Sequence, residues 1–446
     1  MTSPASTGPI IDRLTAPGMM LQAYRLLARA AQPVVPLVLQ LRERQGKEDP
    51  QRRMERFGDA SRVRPSGPLV WFHAASVGET NAILQLIASL QAARPDLGLL
   101  LTTGTVTSAR LAESRLDDRV LHQFAPIDLP QYIVRFLDYW RPDLAIFAES
   151  EIWPNLVLGL FERQVPLALV NGRISKRSFA RWRRSPRLSQ SLFRHFDLVL
   201  AHNEETARQF HALGAPNVRT VGNLKMDSPA PPADSGELKR LKEQTQGRLV
   251  FLAASTHAGE DLHVIRAHKA LQTDSPDLLT IIVPRHPERG KAVAALAKRE
   301  GCRVELRSSG ETPEKGCDIY VADTIGELGL FYALSPVALI GGSLIRHGGQ
   351  NPVEAVKHGC AVLTGPHYDN FDDAYRALID SGGCWEVGSI TELAVALKRL
   401  LQSEATRSGM SRDAMRTISA MSGALPRTMD ALEPMLPQPD GTPRAS

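Results

Sequence analysis

Residues 69–79 read Leu-Val-Trp-Phe-His-Ala-Ala-Ser-Val-Gly-Glu, an apolar run followed by a short loop and the start of a helix. The same order returns after the apolar run 337–340, where Gly341-Gly342-Ser343 is followed by Asn351-Pro352-Val353-Glu354. A strand that ends in a glycine-bearing turn before a helix aims backbone N–H groups and the positive helix end at an anion. Two such loops, each with a carboxylate nearby, indicate a site where a phosphorylated donor meets an acceptor.

Short apolar runs alternate with amphipathic stretches around both loops, which is typical of parallel βαβ units. In the first half this pattern predicts strands at 69–73, 98–102, 144–148, 166–170 and 197–201, with helices at 80–93, 105–114, 154–163 and 204–213. In the second half it predicts strands at 249–254, 279–283, 303–306, 318–321, 337–340 and 360–363. We therefore expect an α/β chain of two doubly wound, Rossmann-like domains that face a central cleft. Ligands bind outside the carboxyl ends of the strands in such sheets.

The proline-rich stretch 228–236 cannot hold regular structure and is typical of an interdomain linker. The predicted organisation is an N-terminal helix with a basic segment (1–58), a first domain (59–228), a linker (229–240), a second domain (241–435) and a loose tail (436–446). The helical segment 405–435 is expected to pack back against the first domain.

Composition narrows the class of protein. The chain has 446 residues, 43% of them hydrophobic, with a formal charge of +5 and a pI of about 9.1. This charge suits acidic small molecules or an anionic membrane surface, and no aromatic-basic repeat points to nucleic acid as a partner. The four cysteines form no C-x-x-C pair, so we expect buried thiols. His257 and His286 lack a third ligand at helpful spacing, so no metal is expected.

The N-terminal segment allows two interpretations. Residues 19–41 are mostly apolar but contain Arg25 and Arg29, which are costly inside a spanning helix. A run of basic residues follows between Arg42 and Arg56. The segment is either a basic helix in the membrane interface or a helix packed on its own domain.

Three polar residues are candidates for catalysis. Ser76-x-x-Glu79 is a capping box, yet a carboxylate at the mouth of a cleft can also act as a general base. Glu149 follows the strand 144–148 and should face the same cleft, where a second acid would raise one pKa. Lys225 precedes the linker and could offset charge on a departing phosphate.

One basic run and three shorter segments are candidates for binding the acceptor and the nucleotide. The run from Arg173 to Arg187 is either a solvated face or a docking surface for a phosphorylated amphiphile, with Phe179 and Trp182 touching its apolar part. Pro284-Arg285 follows a strand and suits a nucleotide. The segment 323–328 is a nucleotide contact or an ordinary helix cap. Glu354 could accept both ribose hydroxyls.

Together these segments resemble the 3-deoxy-D-manno-octulosonic acid (Kdo) transferases of Gram-negative lipopolysaccharide synthesis. The likeness extends from about residue 20 to 430 and keeps the motifs in order: His73–Glu79, Glu149–Asn155, Asn171–Ser175, Pro284–Arg289 and Gly341–Glu354. An N-terminal extension and Gly172, where an alanine is frequent, are the main departures. Neither touches a catalytic position.

The resemblance implies a GT-B fold and inverting transfer of Kdo from CMP-Kdo to lipid IVA, on the cytoplasmic side of the cell inner membrane. It implies no cofactor and no metal. It makes Glu79 the proton acceptor and assigns Glu149 and Lys225 to transition-state stabilisation. The implied CMP-binding residues are Pro284, Arg285, Ile325, Gly326, Glu327, Asn351, Pro352, Val353 and Glu354. Arg173, Arg177, Arg181 and Arg184 are the candidate acceptor-binding residues.

Two other functions stay open at this point. A nucleotide-sugar epimerase can use the same two-domain architecture, and it would bind UDP. A catalytically silent lipid-phosphate binding protein is also compatible with the basic run, but it gives no reason for an acid at position 79. Fold alone does not choose between them.

Overall fold

The structure is a computed structural model that describes residues 19–438. Residues 1–18 of the predicted N-terminal segment and 439–446 of the predicted tail lie outside this range. The described chain forms two compact units. Unit 1 extends to Lys225 and resumes at Gly423, and unit 2 comprises Met226–Ser422. The second domain predicted from the sequence extended to residue 435, whereas the helix after Gly423 lies in unit 1.

Unit 1 is a parallel sheet flanked by helices. Its strands are β1 (Leu69–Ala74), β2 (Gly98–Thr103), β3 (Val120–Phe124), β4 (Leu144–Ala148), β5 (Leu167–Gly172), β6 (Leu198–Ala201) and β7 (Val218–Thr220). Its helices up to the boundary with unit 2 are α1 (Met19–Ala30), α2 (Val35–Arg44), α3 (Val77–Ala93), α4 (Val106–Arg115), α5 (Pro130–Trp140), α6 (Pro154–Glu162), α7 (Lys176–Arg183), α8 (Pro186–Phe193), α9 (Glu204–Ala212) and α10 (Leu224–Asp227).

Unit 2 repeats this construction. Its strands are β8 (Leu249–Thr256), β9 (Leu278–Pro284), β10 (Val304–Leu306), β11 (Ile319–Val321), β12 (Val337–Ile340), β13 (Ala361–Thr364) and β14 (Cys384–Glu386). Its helices are α11 (Ser235–Gln244), α12 (Glu260–Gln272), α13 (Gly290–Arg299), α14 (Leu328–Leu334), α15 (Val353–Lys357), α16 (Asp372–Asp380), α17 (Ile390–Gln402) and α18 (Glu404–Met421). The last helix, α19 (Ala424–Leu432), returns to unit 1.

Both sheets are doubly wound. The strand order is β3-β2-β1-β4-β5-β6-β7 in unit 1 and β10-β11-β9-β8-β12-β13-β14 in unit 2, with every pair parallel. The order reverses between β1 and β4 and between β8 and β12. A ligand crevice forms at the carboxyl ends of the strands beside such a reversal. The two loops that opened the sequence analysis follow β1 and β12, so each lies at the switch point of its own unit.

Burial on both faces of the sheet explains why the central strands are almost wholly apolar. All six residues of β1 and all five of β4 are buried, as expected for strands covered by helices on both faces. The α19 residues Ala424 and Leu432 join the core beside β1. All four cysteines are buried and free, as predicted.

The N-terminal helix α1 is held by unit 1. Leu21 is fully buried, the Tyr24 hydroxyl donates to Asp128 Oδ2 at 3.2 Å, and Arg25 pairs with Glu162. The opposite face is open, with Leu26 63% and Leu27 71% exposed. The helix is therefore packed on its own unit, yet it keeps an uncovered apolar face. Among the described residues, no helix is long and apolar enough to cross a membrane.

Candidate active site

The switch point of unit 1 gathers acidic side chains from two neighbouring strands. Glu79 follows β1 in the first turn of α3, and Glu149 and Glu151 follow β4. Lys225, in α10, joins them through an ion pair with Glu149. The three predicted catalytic residues thus belong to one unit, and Glu79 and Glu149 lie at the carboxyl ends of adjacent strands.

Glu79 has the capping geometry and also the properties of a base. Its Oε2 accepts the Ser76 amide at 2.9 Å, and the Ser76 hydroxyl accepts the Glu79 amide at 3.3 Å. The residue is only 9% exposed. Burial, followed by the nearby charge of Glu151, raises the pKa of Glu79 to about 7. A base with a pKa near the working pH is the most effective.

The Glu149 side chain is held by two neighbours, Lys225 and Asn171. Its Oε1 lies 2.6 Å from Lys225 Nζ and accepts the Asn171 side-chain amide at 3.3 Å. Asn171 in turn accepts the Leu224 amide at 3.0 Å, which ties the start of α10 to β5. The backbone of Glu149 is left-handed, with φ 51°, a costly conformation for a residue with a side chain. The sequence analysis singled out the Asn171 motif but not this positioning role.

The raised pKa of Glu79 predicts a pH-dependent stability. The unfolded carboxyl ionises near its ordinary pKa of 4.5, whereas the folded one holds its proton to about 7. Stability should therefore fall as pH rises between these values and stay reduced above them. Glu79→Gln removes this effect, so the variant should gain on the order of 1–3 kcal/mol over wild type at pH 8 and almost nothing at pH 4.

Denaturation of both proteins across this pH range measures the difference. The exposed Glu205, in the first turn of α9, provides a matched control, since Glu205→Gln should show no comparable pH dependence. A constant difference between Glu79→Gln and wild type from pH 4 to 8 would contradict the raised pKa.

The basic run forms helices α7 and α8. Ser175 caps α7 by accepting the Ser178 amide at 3.1 Å. Arg177, Arg181 and Arg184 are exposed, whereas Arg173 is half-buried and donates its amide to the Glu149 carbonyl at 3.1 Å. Trp182 is partly buried, and its ring packs edge-on against the core residue Phe193, with centroids 5.4 Å apart. Its contact with the apolar part of a lipid stays a prediction.

The glycine loop of unit 2 does not offer its N–H groups to a phosphate, which corrects the sequence analysis. The carboxylate of Glu260 is fully buried and accepts the amides of His257, Gly342, Ser343 and Leu344 at 2.7–3.0 Å. The anion at this turn is therefore supplied by the chain itself, from the first turn of α12. An external phosphate has to be bound by other groups.

One arginine and three histidines of unit 2 follow β8, β9 and β12, the strands around this turn. Arg285 and His286 follow β9 and are exposed. The His257 ring lies 3.8 Å from that of His347 and 6.0 Å from that of His286. Burial and these charged or chargeable neighbours lower the pKa of His257 to about 4. His257 and His286 were expected from the sequence to lack a third metal ligand, and the position of His347 beside them is seen only in the structure.

The other predicted nucleotide segments lie in the same unit. Ile325 is 86% exposed at the tip of its loop. Glu327 pairs with Arg307, which holds the pKa of that carboxyl below its usual range. Asn351 accepts the Val353 amide at 3.1 Å at the start of α15. Pro352 and Val353 are buried, and Glu354 is half-buried. Among the described residues, no group of three His, Cys, Asp or Glu side chains could hold a metal ion.

Comparison with known proteins identifies the family. The family model for 3-deoxy-D-manno-octulosonic-acid transferases matches residues 51–228, which contain Glu79 and its neighbours in unit 1. The 3-deoxy-D-manno-octulosonic acid transferase of Haemophilus influenzae is 35% identical over 424 residues, or 93% of this chain and 98% of that protein. The chain belongs to the Kdo transferase family. The Bordetella pertussis enzyme of the same name is 37% identical, over 85% of this chain and 91% of its own.

The predicted Kdo transferase family and its glycosyltransferase class are thus confirmed. Among solved structures, the UDP-GlcNAc 2-epimerase of Neisseria meningitidis matches 82% of the Kdo transferase chain and 99% of its own, with a TM-score of 0.57 and 12% identity. At that identity the likeness shows a shared fold, two Rossmann-like domains of GT-B type, and nothing about activity. The epimerase alternative is not favoured.

Proposed function

We propose that this protein transfers Kdo from CMP-Kdo to lipid IVA, with inversion at the anomeric carbon, in the synthesis of the lipopolysaccharide core. The observation that carries the proposal is Glu79, a buried carboxylate with a pKa of about 7 at the switch point of unit 1. A group of this kind is suited to take a proton from a sugar hydroxyl at neutral pH.

The reaction is a single displacement. Glu79 accepts the proton of the lipid IVA hydroxyl while that oxygen bonds to the anomeric carbon of Kdo. The bond between this carbon and the phosphate oxygen of CMP breaks, and its electron pair leaves with the phosphate. General base catalysis of this type contributes roughly 10²–10⁴-fold.

The Glu149–Lys225 ion pair supports the charge changes. In the proposal, Glu149 stabilises the oxocarbenium-like sugar and Lys225 offsets negative charge on the departing phosphate. Their 2.6 Å contact keeps both groups ordered before substrate arrives. Lys225 and Arg285 supply the positive charge, so transfer is proposed to need neither a metal nor a cofactor and should persist in a chelator.

Unit 2 is the proposed donor-binding unit. Arg285 offers positive charge for the CMP phosphate, and the adjacent imidazoles of His257, His286 and His347 offer ring N–H donors. Pro284, the segments 325–327 and 351–353, and Glu354 are proposed to hold the cytidine, with Glu354 on the ribose hydroxyls. We assign phosphate binding to these side chains because the backbone N–H groups of the glycine turn already donate to Glu260.

Calorimetry with CMP and with UDP tests the nucleotide. We expect CMP to bind at least about tenfold more tightly, because each 1.4 kcal/mol of selective contact changes affinity by that factor. Glu354→Gln, which keeps the shape of the side chain, should weaken CMP binding. Preferential binding of UDP would contradict the proposal and support an epimerase.

We also propose that the protein works at the cytoplasmic side of the cell inner membrane. The exposed face of α1 and α2, with Leu26, Leu27, Leu37 and Val38, would enter the interface, and Arg173, Arg177, Arg181 and Arg184 would bind the phosphates of lipid IVA. Apolar contact and attraction to anionic headgroups reinforce each other in such binding.

Vesicle sedimentation tests the membrane surface. The double variant Leu26→Ser and Leu27→Ser should reduce binding to vesicles containing phosphatidylglycerol at least about tenfold, because each buried leucine contributes roughly 1.5–3 kcal/mol. Leu21, which anchors α1 to unit 1, stays intact. Val395→Ser, at a 64% exposed position of unit 2, is the control and should bind like wild type. Equal sedimentation of all three proteins would show that α1 serves only its own unit.

A further inference from the structure

Each unit has a glutamate in the first turn of the helix that follows its first strand, Glu79 in unit 1 and Glu260 in unit 2. The surroundings of the two side chains differ. Glu79 and Glu260 each accept the amide three residues earlier, from Ser76 at 2.9 Å and from His257 at 2.8 Å. Glu260 also accepts three amides of the glycine turn. Glu79 instead faces two acids, Glu151 and then Glu149, whose charges oppose its ionisation. Glu260 therefore holds the glycine turn of unit 2 together, whereas Glu79 is a carboxyl that can take up and release a proton near neutral pH.

Glu151 is held by one hydrogen-bond donor, the Trp153 indole, and by a close contact with the His73 ring. Its Oε2 accepts the Trp153 indole N–H at 2.5 Å and lies 3.3 Å from His73 Nε2. The His73 ring is fully buried, and its Nδ1 is 2.9 Å from the Thr102 hydroxyl. That hydroxyl already accepts the Trp71 indole N–H at 2.9 Å. That hydroxyl also donates to the Phe72 carbonyl at 3.4 Å, so these contacts hold the His73 ring in place without fixing which nitrogen carries its proton.

We propose that Glu151 is a positioning residue for the base: kept ionised by Trp153 and His73, it supplies the negative charge that makes Glu79 basic enough to deprotonate a sugar hydroxyl. The inference rests on the proposed role of Glu79. No chemical step passes through Glu151, since the acceptor proton goes to Glu79.

The two carboxyls respond in opposite directions. Burial and the Glu151 charge raise the pKa of Glu79. Burial also acts against ionisation of Glu151, but its contacts with His73, with the Trp153 indole and with the Glu79 carboxyl more than compensate and lower its pKa. Two acids whose environments separate their pKa values take different roles. The other charged groups at the site are Glu149, which raises the pKa of Glu79 more weakly, and Lys225, which is paired with Glu149.

A direct titration of Glu79 tests the proposal without substrate. The full chain is labelled with ¹³C at glutamate side-chain carboxyls, and the resonance absent from Glu79→Gln is assigned to Glu79. In wild type it should titrate near pH 7. Glu151→Gln should move this midpoint down by about one pH unit or more, since a neighbouring charge shifts a carboxyl pKa by that order. Glu151→Asp, which restores the charge, should return it most of the way.

Kinetics give the second readout. The acid limb of kcat/KM for Kdo transfer should move with the midpoint in Glu151→Gln, and the rate above pH 8 should fall because Glu79 becomes a weaker base. Glu205→Gln, at an exposed position in the first turn of α9, is the control and should leave both the midpoint and the limb in place.

The outcomes separate the two claims. An unchanged Glu79 midpoint in Glu151→Gln overturns the role of Glu151, whatever the transfer assay shows. If Glu151→Gln shifts the Glu79 midpoint but the wild-type protein transfers no Kdo, the charge coupling is established and the proposed function is refuted. A shifted midpoint with a matching shift of the acid limb supports both.

Discussion

Glu79→Gln is expected to lose Kdo transfer by a factor of roughly 10²–10⁴, because the amide cannot accept the proton of the acceptor hydroxyl. Gln keeps an oxygen in place for the Ser76 amide, so the cap of α3 and the fold should survive. CMP affinity should stay unchanged, since the proposed nucleotide contacts all lie in unit 2. The measurement is the single-turnover rate of Kdo transfer at saturating CMP-Kdo, with calorimetry of CMP on the same sample.

The control for this variant is Glu205→Gln, an exposed glutamate in unit 1 that should keep wild-type turnover. Turnover of Glu79→Gln within about tenfold of wild type would contradict the assignment of the base. Loss of turnover together with loss of CMP affinity would indicate damage to the fold instead, and Glu79→Asp would then show whether a carboxylate restores the rate.

Glu260→Gln should destabilise unit 2 by on the order of 2–6 kcal/mol. The carboxylate oxygens accept two amides each, Oε1 from Ser343 and Leu344 and Oε2 from His257 and Gly342. A glutamine offers one oxygen and turns an N–H₂ group toward the remaining pair of donors. Two buried amides then lose their acceptor, and each such loss costs about 1–3 kcal/mol.

Hydrogen exchange of the 341–344 amides and a denaturation curve of the full chain measure this effect. The matched control is Glu79→Gln at the corresponding position of unit 1, which should destabilise nothing at neutral pH. Equal stabilities of the two variants would contradict the structural role of Glu260. If the Glu260→Gln protein is stable but binds CMP poorly, the glycine turn 341–344 would have to be part of the CMP-binding site.

The topology was largely readable from the sequence. Buried strands such as β1, β4 and β12 are continuous apolar runs, and their boundaries agree with the structure to within one residue. Strand β3 was missed because His122 and Gln123 interrupt its apolar pattern. Their polar groups are bonded inside unit 1, His122 to Thr103 and Gln123 to Trp140, so they tolerate burial. Strands β7 and β14 were also missed, because β7 has no buried residue and β14 has one, so neither forms an apolar run.

The partners of the site residues were less predictable. Glu260 lies 82 residues before Gly342, so no local pattern could show that its carboxylate fills the glycine turn. The available signal for an internal cap is Ala-Ser-Thr-His-Ala-Gly-Glu at 254–260, which resembles Ala-Ser-Val-Gly-Glu at 75–79 with two residues inserted. Glu151 lies within the motif Glu149–Asn155, but its link to His73 crosses from β4 to β1 and appears only when the sheet is formed.

The central claim is tested most directly by incubating the full chain with freshly generated CMP-Kdo and lipid IVA and recording the mass spectrum of the lipid. We expect the lipid IVA mass to rise by one or more Kdo residues, with release of CMP, and no such product with Glu79→Gln. An unchanged lipid mass alongside hydrolysis or epimerisation of a nucleotide sugar would contradict the proposed function.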